Sequence, residues 1–240
     1  MKVALIGYGK MGQAIEELLD PKKDSIVLKI DKNNYTELTS ETIKEADVAI
    51  EFSNPEAAFG NIEFCLKNTI PVVSGTTGWI DKLEKIKEIC RDNCGTFFYA
   101  SNFSLGMNMF MHINKIMANV MNNHDQYNVI MEEIHHIHKI DAPSGTAITL
   151  ADDILDEIYR KTSWSMTDST SSKEIAISSK REGEIPGTHI IRYKCPVDTI
   201  ELKHEAHNRT GFALGAIAAA RFILNKRGCY GMNDLLKLNS

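Results

Sequence analysis

Five apolar runs in the first hundred residues share one property. Val3–Ile6, Ile26–Ile30, Val48–Phe52, Ile70–Val73 and Thr96–Tyr99 do not alternate apolar with polar residues. A strand with one wet face alternates, so runs of this kind predict strands covered on both faces, the condition of a parallel sheet. Between them lie helical segments at Met11–Leu19, Glu56–Lys67 and Ile80–Asp92. Pro55 and Pro71 stand at the start of a helix and of a strand, where the missing amide is tolerated. Strand and helix in strict turn imply right-handed crossovers and a doubly wound α/β sheet.

The pattern changes after Ser101. Leu105–Met121 reads as a long helix carrying Met107, Met109, Met111, Met117 and Met121, suited to an adaptable core or a subunit contact. A strand at Tyr127–Ile134 and a helix from about Thr146 to Tyr159 follow. The Ser- and Thr-rich stretch Lys161–Lys173 reads as an exposed loop. Strands at Glu174–Ser179, His189–Tyr193 and Thr199–Ala206 then suggest a mostly β second domain with helices on one side. The Ala-rich helix Gly211–Leu224 can pack back on the first domain, which would then be built from both chain ends.

Charge and cysteine usage narrow the class. A net charge of −5 and a pI near 5.9 argue against a large nucleic-acid interface. The five cysteines form an odd, scattered set; Cys90 and Cys94 would lie one turn apart on a helix, with no second pair at zinc-ligand spacing. They read as reduced thiols of a cytoplasmic protein. The opening Met1–Ile6 runs straight into glycines and lacks a signal-peptide core, and no apolar run approaches the roughly 20 residues of a membrane span.

Gly7-Tyr8-Gly9-Lys10-Met11-Gly12 joins the first strand to the first helix, the context in which GxGxxG binds a dinucleotide. The first glycine allows a tight turn, the second lets backbone approach the pyrophosphate, and the third brings helix against strand. Asp31 ends the second strand, where an acid can bind the adenosine ribose; Lys32 follows it and can partly accept a 2′-phosphate. NADH is therefore expected to be preferred, with NADPH tolerated. Phe52 at the end of the third strand is a further candidate contact. So are Gly75, Thr76 and Thr77, and Ala100, Ser101, Asn102 and Phe103, in loops that follow later strands.

The second candidate region is Ile134–Ala147. His135, His136, His138 and Lys139 precede Asp141-Ala142-Pro143-Ser144-Gly145-Thr146, a helix start whose first-turn amides and dipole favour an anion. Zinc would need His135, His136 and His138 to converge, which an extended loop does not allow. Histidines without a role are one reading, and general acid catalysis near neutrality is the sharper one.

The run Glu133–Ala147 resembles the signature of the dihydrodipicolinate reductases. Gly7–Gly12, Gly75-Thr76-Thr77-Gly78, Asn102-Phe103-Ser104, Arg181-Glu182-Gly183 and Phe212–Ala216 extend the resemblance over nearly the whole chain. The chain departs from the family pattern in its short first-domain loops and in Ser101 where proline is expected. The resemblance implies NAD(P)H-dependent reduction of a cyclic, unsaturated dicarboxylate in diaminopimelate and lysine synthesis. It implies a Rossmann-type domain over 1–104 completed by 212–240, and an α+β substrate domain with a mixed sheet over 105–211, assembled as a homotetramer. His135 matches the family's proton donor and Lys139 its partner in the proton step. His136 matches a substrate contact, and Gly145 and Thr146 the amide pocket for a substrate carboxylate. No resident metal, nucleic acid or membrane partner is implied. Two other readings are weighed against this one. Another Rossmann-type amino-acid or sugar dehydrogenase explains the glycines but not Asp141–Thr146. A non-catalytic dinucleotide sensor has no use for acid residues beside an anion pocket.

Overall fold

The computed structural model describes residues 1–166, 171–208 and 210–238. The chain divides into two compact units, Met1–Leu105 with Thr210–Ser240, and Gly106–Arg209.

In the first unit the strands are β1 (Lys2–Ile6), β2 (Ser25–Ile30), β3 (Val48–Glu51), β4 (Val72–Ser74), β5 (Thr96–Tyr99) and β11 (Gly228–Tyr230). They form one sheet in the order β11-β5-β4-β3-β1-β2, parallel at every pairing. Helices α1 (Lys10–Leu18), α2 (Ser40–Ile43), α3 (Pro55–Lys67), α4 (Leu83–Asp92), α7 (Thr210–Ile223) and α8 (Met232–Leu236) complete it. Side chains alternate between two apolar layers, which is why the central runs needed no polar positions. Ala4, Ile6, Ala49 and Val72 pack with Ile62 and Leu66 of α3 and Ile86 of α4. Val3, Leu5, Ile50, Val73 and Phe98 pack with Ile15 of α1 and Ala216 and Ala220 of α7. Asn54 caps α3 by accepting the Ala57 amide, with Pro55 at its first position.

Two expectations for this unit are corrected, and two short elements lay outside them. The helix expected over Ile80–Asp92 opens with a 3₁₀ turn at Ile80–Lys82, beside a buried Trp79 whose indole donates to the Thr76 carbonyl at 2.7 Å. That helix ends at Asp92, and Cys94 adopts φ of 48° beyond it, so Cys90 and Cys94 do not share a helical turn. β11 and α8 had no sequence signal of their own, because three and five residues are too few to establish a period.

The second unit pairs α5 (Leu105–Asn122) and α6 (Gly145–Glu157) with β6 (Asn128–His135), β7 (Ser163–Ser165), β8 (Glu174–Arg181), β9 (Gly187–Lys194) and β10 (Thr199–Ala206). The order is β10-β9-β6-β8-β7, antiparallel for β10–β9 and β9–β6 and parallel for β6–β8 and β8–β7. The sheet is therefore mixed. One face is covered: Val129, Met131, Ile175, Ile177, Ile191 and Tyr193 pack on Phe110, Ala118, Met121, Leu150 and Ile154 of the two helices. Met107 and Met121 are buried, so most of the methionine helix's inner side is core. In the Ser- and Thr-rich stretch, Ser163–Ser165 is an edge strand rather than loop, and residues 167–170 lie outside the described residues. Among the described residues no helix is long and apolar enough to cross a membrane.

Candidate active site

In the first unit a groove of about 580 Å³ opens over the carboxyl ends of β1, β2 and β3, lined by Gly7, Tyr8, Gly9, Asp31, Lys32 and Phe52 among others. Its three glycines differ in what a Cβ would meet. At Gly7, with φ of 96°, it would overlap the Phe52 carbonyl at 2.1 Å, and at Gly12 it would press on the Gly7 carbonyl at 2.7 Å. A Cβ on Gly9 would meet nothing within 4 Å among the described residues beyond its chain neighbours and its own helix backbone, and Gly9 is the N-cap of a helix with no side-chain cap and no acidic residue in its first turn. An open backbone approach at a helix N-terminus fits a pyrophosphate. Tyr8 donates to Glu16, and Lys29 bridges the same carboxylate at 2.6 Å. Lys10 is exposed and Met11 half-buried. Asp31 accepts the Asn33 amide at 2.6 Å, and Lys32 is exposed beside it.

The later loops meet the same groove through Phe52. Gly75 lies against that ring, for a Cβ there would come within 2.0 Å of Phe52 and 2.9 Å of Phe103. The two phenyl centroids are 5.5 Å apart. Ala100 and Phe103 are buried, Ser101 and Thr77 exposed. Glu51 organises these loops and was missed in the sequence. Fully buried, it accepts from Ser74 at 2.6 Å, Thr76 at 2.9 Å, the Ser53 amide at 2.9 Å and the Ser53 hydroxyl. An acid ending an apolar strand gave no signal of that task.

In the second unit, sheet register builds the site. Glu133 and His135 lie two residues apart on β6 and so share a face. Glu133 pairs across the antiparallel ladder with His189, and His135 across the parallel one with Arg181. The expected strand ended at Ile134; β6 runs one residue further, so His135 belongs to the sheet and is buried rather than lying in a loop. Glu133 carries the centre. Its Oε1 accepts from Arg181 Nη2 at 3.0 Å and from the Ser144 amide at 3.2 Å. Its Oε2 lies 2.8 Å from His135 Nδ1, an ion-pair distance at which neither atom is hydrogen-bonded. Burial pushes the Glu133 carboxyl up, but His135, Ser144 and Arg181 more than reverse this and hold it well below the usual carboxylate range. The His189 ring meets the His135 ring edge-on at 5.2 Å; burial, then the neighbouring His135, lowers it to about 4.

Arg181 also holds the following loop, donating to the Lys139 carbonyl at 3.2 Å and the Asp141 carbonyl at 2.6 Å. Lys139, expected as a fixed cation, forms a two-pronged pair with Asp141 at 2.8 Å from each oxygen. His136 is half-buried with its ring 6.1 Å from that of His138, and exposed His138 reaches Glu184 at 3.2 Å. Helix α6 begins where expected. Ser144 caps it by accepting the Ala147 amide, which leaves those of Gly145 and Thr146 at the first two positions, where no intrahelical acceptor exists.

Both halves of the chain match one family. The model for "Dihydrodipicolinate reductase, N-terminus" covers residues 1–103, and that for "Dihydrodipicolinate reductase, C-terminus" covers 106–236. The chain belongs to the dihydrodipicolinate reductase family. Within it, the chain is 48% identical over 236 residues to the 4-hydroxy-tetrahydrodipicolinate reductase of Christiangramia forsetii, covering 98% of each chain. It is 35% identical over 233 residues to the enzyme of the same name from Rickettsia rickettsii, covering 96% of each. A dipicolinate-bound dihydrodipicolinate reductase from Paenisporosarcina sp. TG-14 shares the fold, with a TM-score of 0.80 at 23% identity over 98% of both chains. The expected fold class, a Rossmann-type parallel sheet plus a unit with a mixed sheet, is the one this reductase-family chain adopts. Besides Glu51, sequence reasoning gave no role to Glu133, Arg181 or His189, which the structure gathers around His135. Glu133 and Arg181 both stood in quoted motifs, without a role.

Proposed function

We propose that the chain reduces 4-hydroxy-tetrahydrodipicolinate to tetrahydrodipicolinate with NADH or NADPH, a step of diaminopimelate and lysine synthesis. One observation carries the chemical reading: a single buried carboxylate, Glu133, touches both His135 and the amide of Ser144 that caps α6. A titratable imidazole and an anion-seeking helix end are thereby held to one group. The 4-hydroxyl leaves as water with a proton from the neighbouring ring carbon, and the nicotinamide, when bound, would supply a hydride to C4 of the unsaturated ring so formed. His135 gives the accompanying proton to the neighbouring carbon, and Lys139 assists that step. The amides of Gly145 and Thr146 take one substrate carboxylate and His136 contacts the ring substituents, since a dianion needs donors fixed in advance.

In the first unit, Gly7, Gly9 and Gly12 would hold the pyrophosphate, and Asp31 the adenosine ribose. Lys32 beside Asp31 supports NADH preference with NADPH tolerated. Self-association as a homotetramer is supported by the face of the second sheet opposite α5 and α6. There Ile130, Ile134 and Ile190 stand among the charged pairs Glu132–Lys180 and Arg192–Glu201. A cytoplasmic location accords with a biosynthetic reductase carrying free thiols.

The test is oxidation of NADH, and separately of NADPH, with and without freshly generated cyclic substrate. Turnover dependent on that substrate, with the lower KM for NADH, is expected. Turnover confined to amino or hydroxy acids, or cofactor binding without turnover, would overturn the reading.

A further inference from the structure

We propose that Glu133, His135 and His189 form a binding site for one divalent transition-metal ion of the zinc class. Because the ion takes the imidazole that the reductase reading uses as proton donor, its binding switches reduction off. The second clause rests on that reading; the first does not.

The argument begins with convergence. One potential ligand atom from each of the three residues lies within 4.8 Å of the other two. Side-chain period and register place them there: Glu133 and His135 on one face of β6, and His189 directly across from Glu133 on β9. All three are more than nine-tenths buried, at 0%, 8% and 4% exposure. Buried polar atoms normally find partners. Yet Glu133 Oε2, His135 Nδ1 and His189 Nδ1 have no hydrogen-bond partner among the described residues. Glu133 Oε2 and His135 Nδ1 lie 2.8 Å apart with a His189 ring nitrogen close by, and one cation among them would satisfy all three side chains.

The donor set suits zinc. Two neutral imidazoles and one carboxylate oxygen, with a fourth position left open, are a common ligand combination for that ion. Arg181 and the Ser144 amide occupy the other carboxylate oxygen, so Glu133 would bind through Oε2 alone with its plane already fixed. The His135–Glu133 separation of 2.8 Å must open by roughly half an ångström, since bonds of about 2.0–2.1 Å in a tetrahedron set ligands about 3.3 Å apart. These are not the three histidines that the sequence offered. His138 is exposed and faces Glu184, away from this cluster.

The test uses the full chain stripped with a chelator. Zn²⁺ titrated against a chromophoric competitor should bind at one ion per chain, Co²⁺ should give the intense visible bands of a tetrahedral site, and Zn²⁺ should inhibit reduction until chelator is restored. His189→Leu keeps the buried volume filled and should weaken binding by at least about tenfold, abolish the Co²⁺ bands and relieve inhibition. Cys229→Ser should change none of these. Thermal unfolding of each variant without metal checks that it is folded. No binding at one ion per chain, or binding unaffected by His189→Leu in a folded variant, overturns the site. Binding that depends on His189 without inhibition leaves the site standing and removes His135 from the proton step.

Discussion

His135 ends a strand, flanked by the buried carboxylate of Glu133 and the ring of His189, with its partner Arg181 tying down the loop that follows. If His135 is the proposed proton donor, its loss should be separable from cofactor binding. General acid catalysis is worth roughly 10²–10⁴-fold, so His135→Gln should lower kcat by about that factor while NADH affinity, read by fluorescence quenching, stays within about twofold. Retention of full kcat would move the proton elsewhere. Gly145 offers a cleaner probe. Among the described residues beyond its chain neighbours and its own helix backbone, nothing lies within 4 Å of the position its Cβ would take, so Gly145→Val adds its bulk to open space. If the adjacent amides hold a carboxylate, the valine should raise the substrate KM about tenfold or more at constant Tm; an unchanged KM would place that pocket elsewhere. The histidines and the helix start were readable because both are local patterns. Glu133 and His189 were not, because their meeting depends on which residue of β9 faces which residue of β6, and register is invisible in one sequence.

At the scale of elements, α7 shows how much was legible and where reading stopped. Its Ala-rich run signalled close packing, and it does lie against β3, β4 and β5. The run did not say how close. A Cβ on Gly215 would sit 1.8 Å from the Phe103 carbonyl oxygen, so the loop Asn102–Phe103 passes over the helix only because that position is glycine. Gly215→Ala should cost at least about 2 kcal/mol in urea unfolding, since the clash is with backbone that cannot rotate away. It should also weaken NADH binding, because Phe103 shares the aromatic contact with Phe52. A second attachment of α7 is Arg221, which donates to Asp24 at 2.7 Å; the Asp24 side chain is 3% exposed. Burial pushes the Asp24 carboxyl up, but the guanidinium prevails and lowers it from its usual 3.8. A depressed carboxyl stabilises the fold above its unfolded value and loses that contribution as pH falls through the folded one. Asp24→Asn should therefore cost about 1–2 kcal/mol at pH 7, with the difference from the parent chain shrinking below about pH 4. A deficit that stays constant down to pH 3 would assign the loss to packing. The short β11 and α8 escaped notice, since each is held by neighbours and not by any period of its own.

For the whole molecule, the strand order is the informative quantity. β11 closes one edge of the first sheet against β5, and α7 covers Val73 and Phe98, yet both come from beyond residue 209. The unit that carries the glycine groove is discontinuous in sequence. A chain ending at Asn208 should lose the cooperative unfolding of that unit and all NADH binding, although every groove residue from Gly7 to Phe103 is still present. Retained binding by calorimetry would show that residues 1–105 suffice. Alternating strand and helix made the parallel sheet legible, but nothing in residues 1–105 announced that it was unfinished.

That discontinuity gives the protein a timetable during its own synthesis. At about 5–20 residues per second, a ribosome needs roughly 5–20 seconds to make the 104 residues from 106 to 209 that separate the two parts. Throughout that interval the nascent first part presents the bare edge of β5 and an uncovered apolar face to the crowded cell. The enclosed second unit is complete before the enclosing one, so the cofactor site is assembled last. A chaperone binding the nascent chain would find its best target in the part of the polypeptide that was made first.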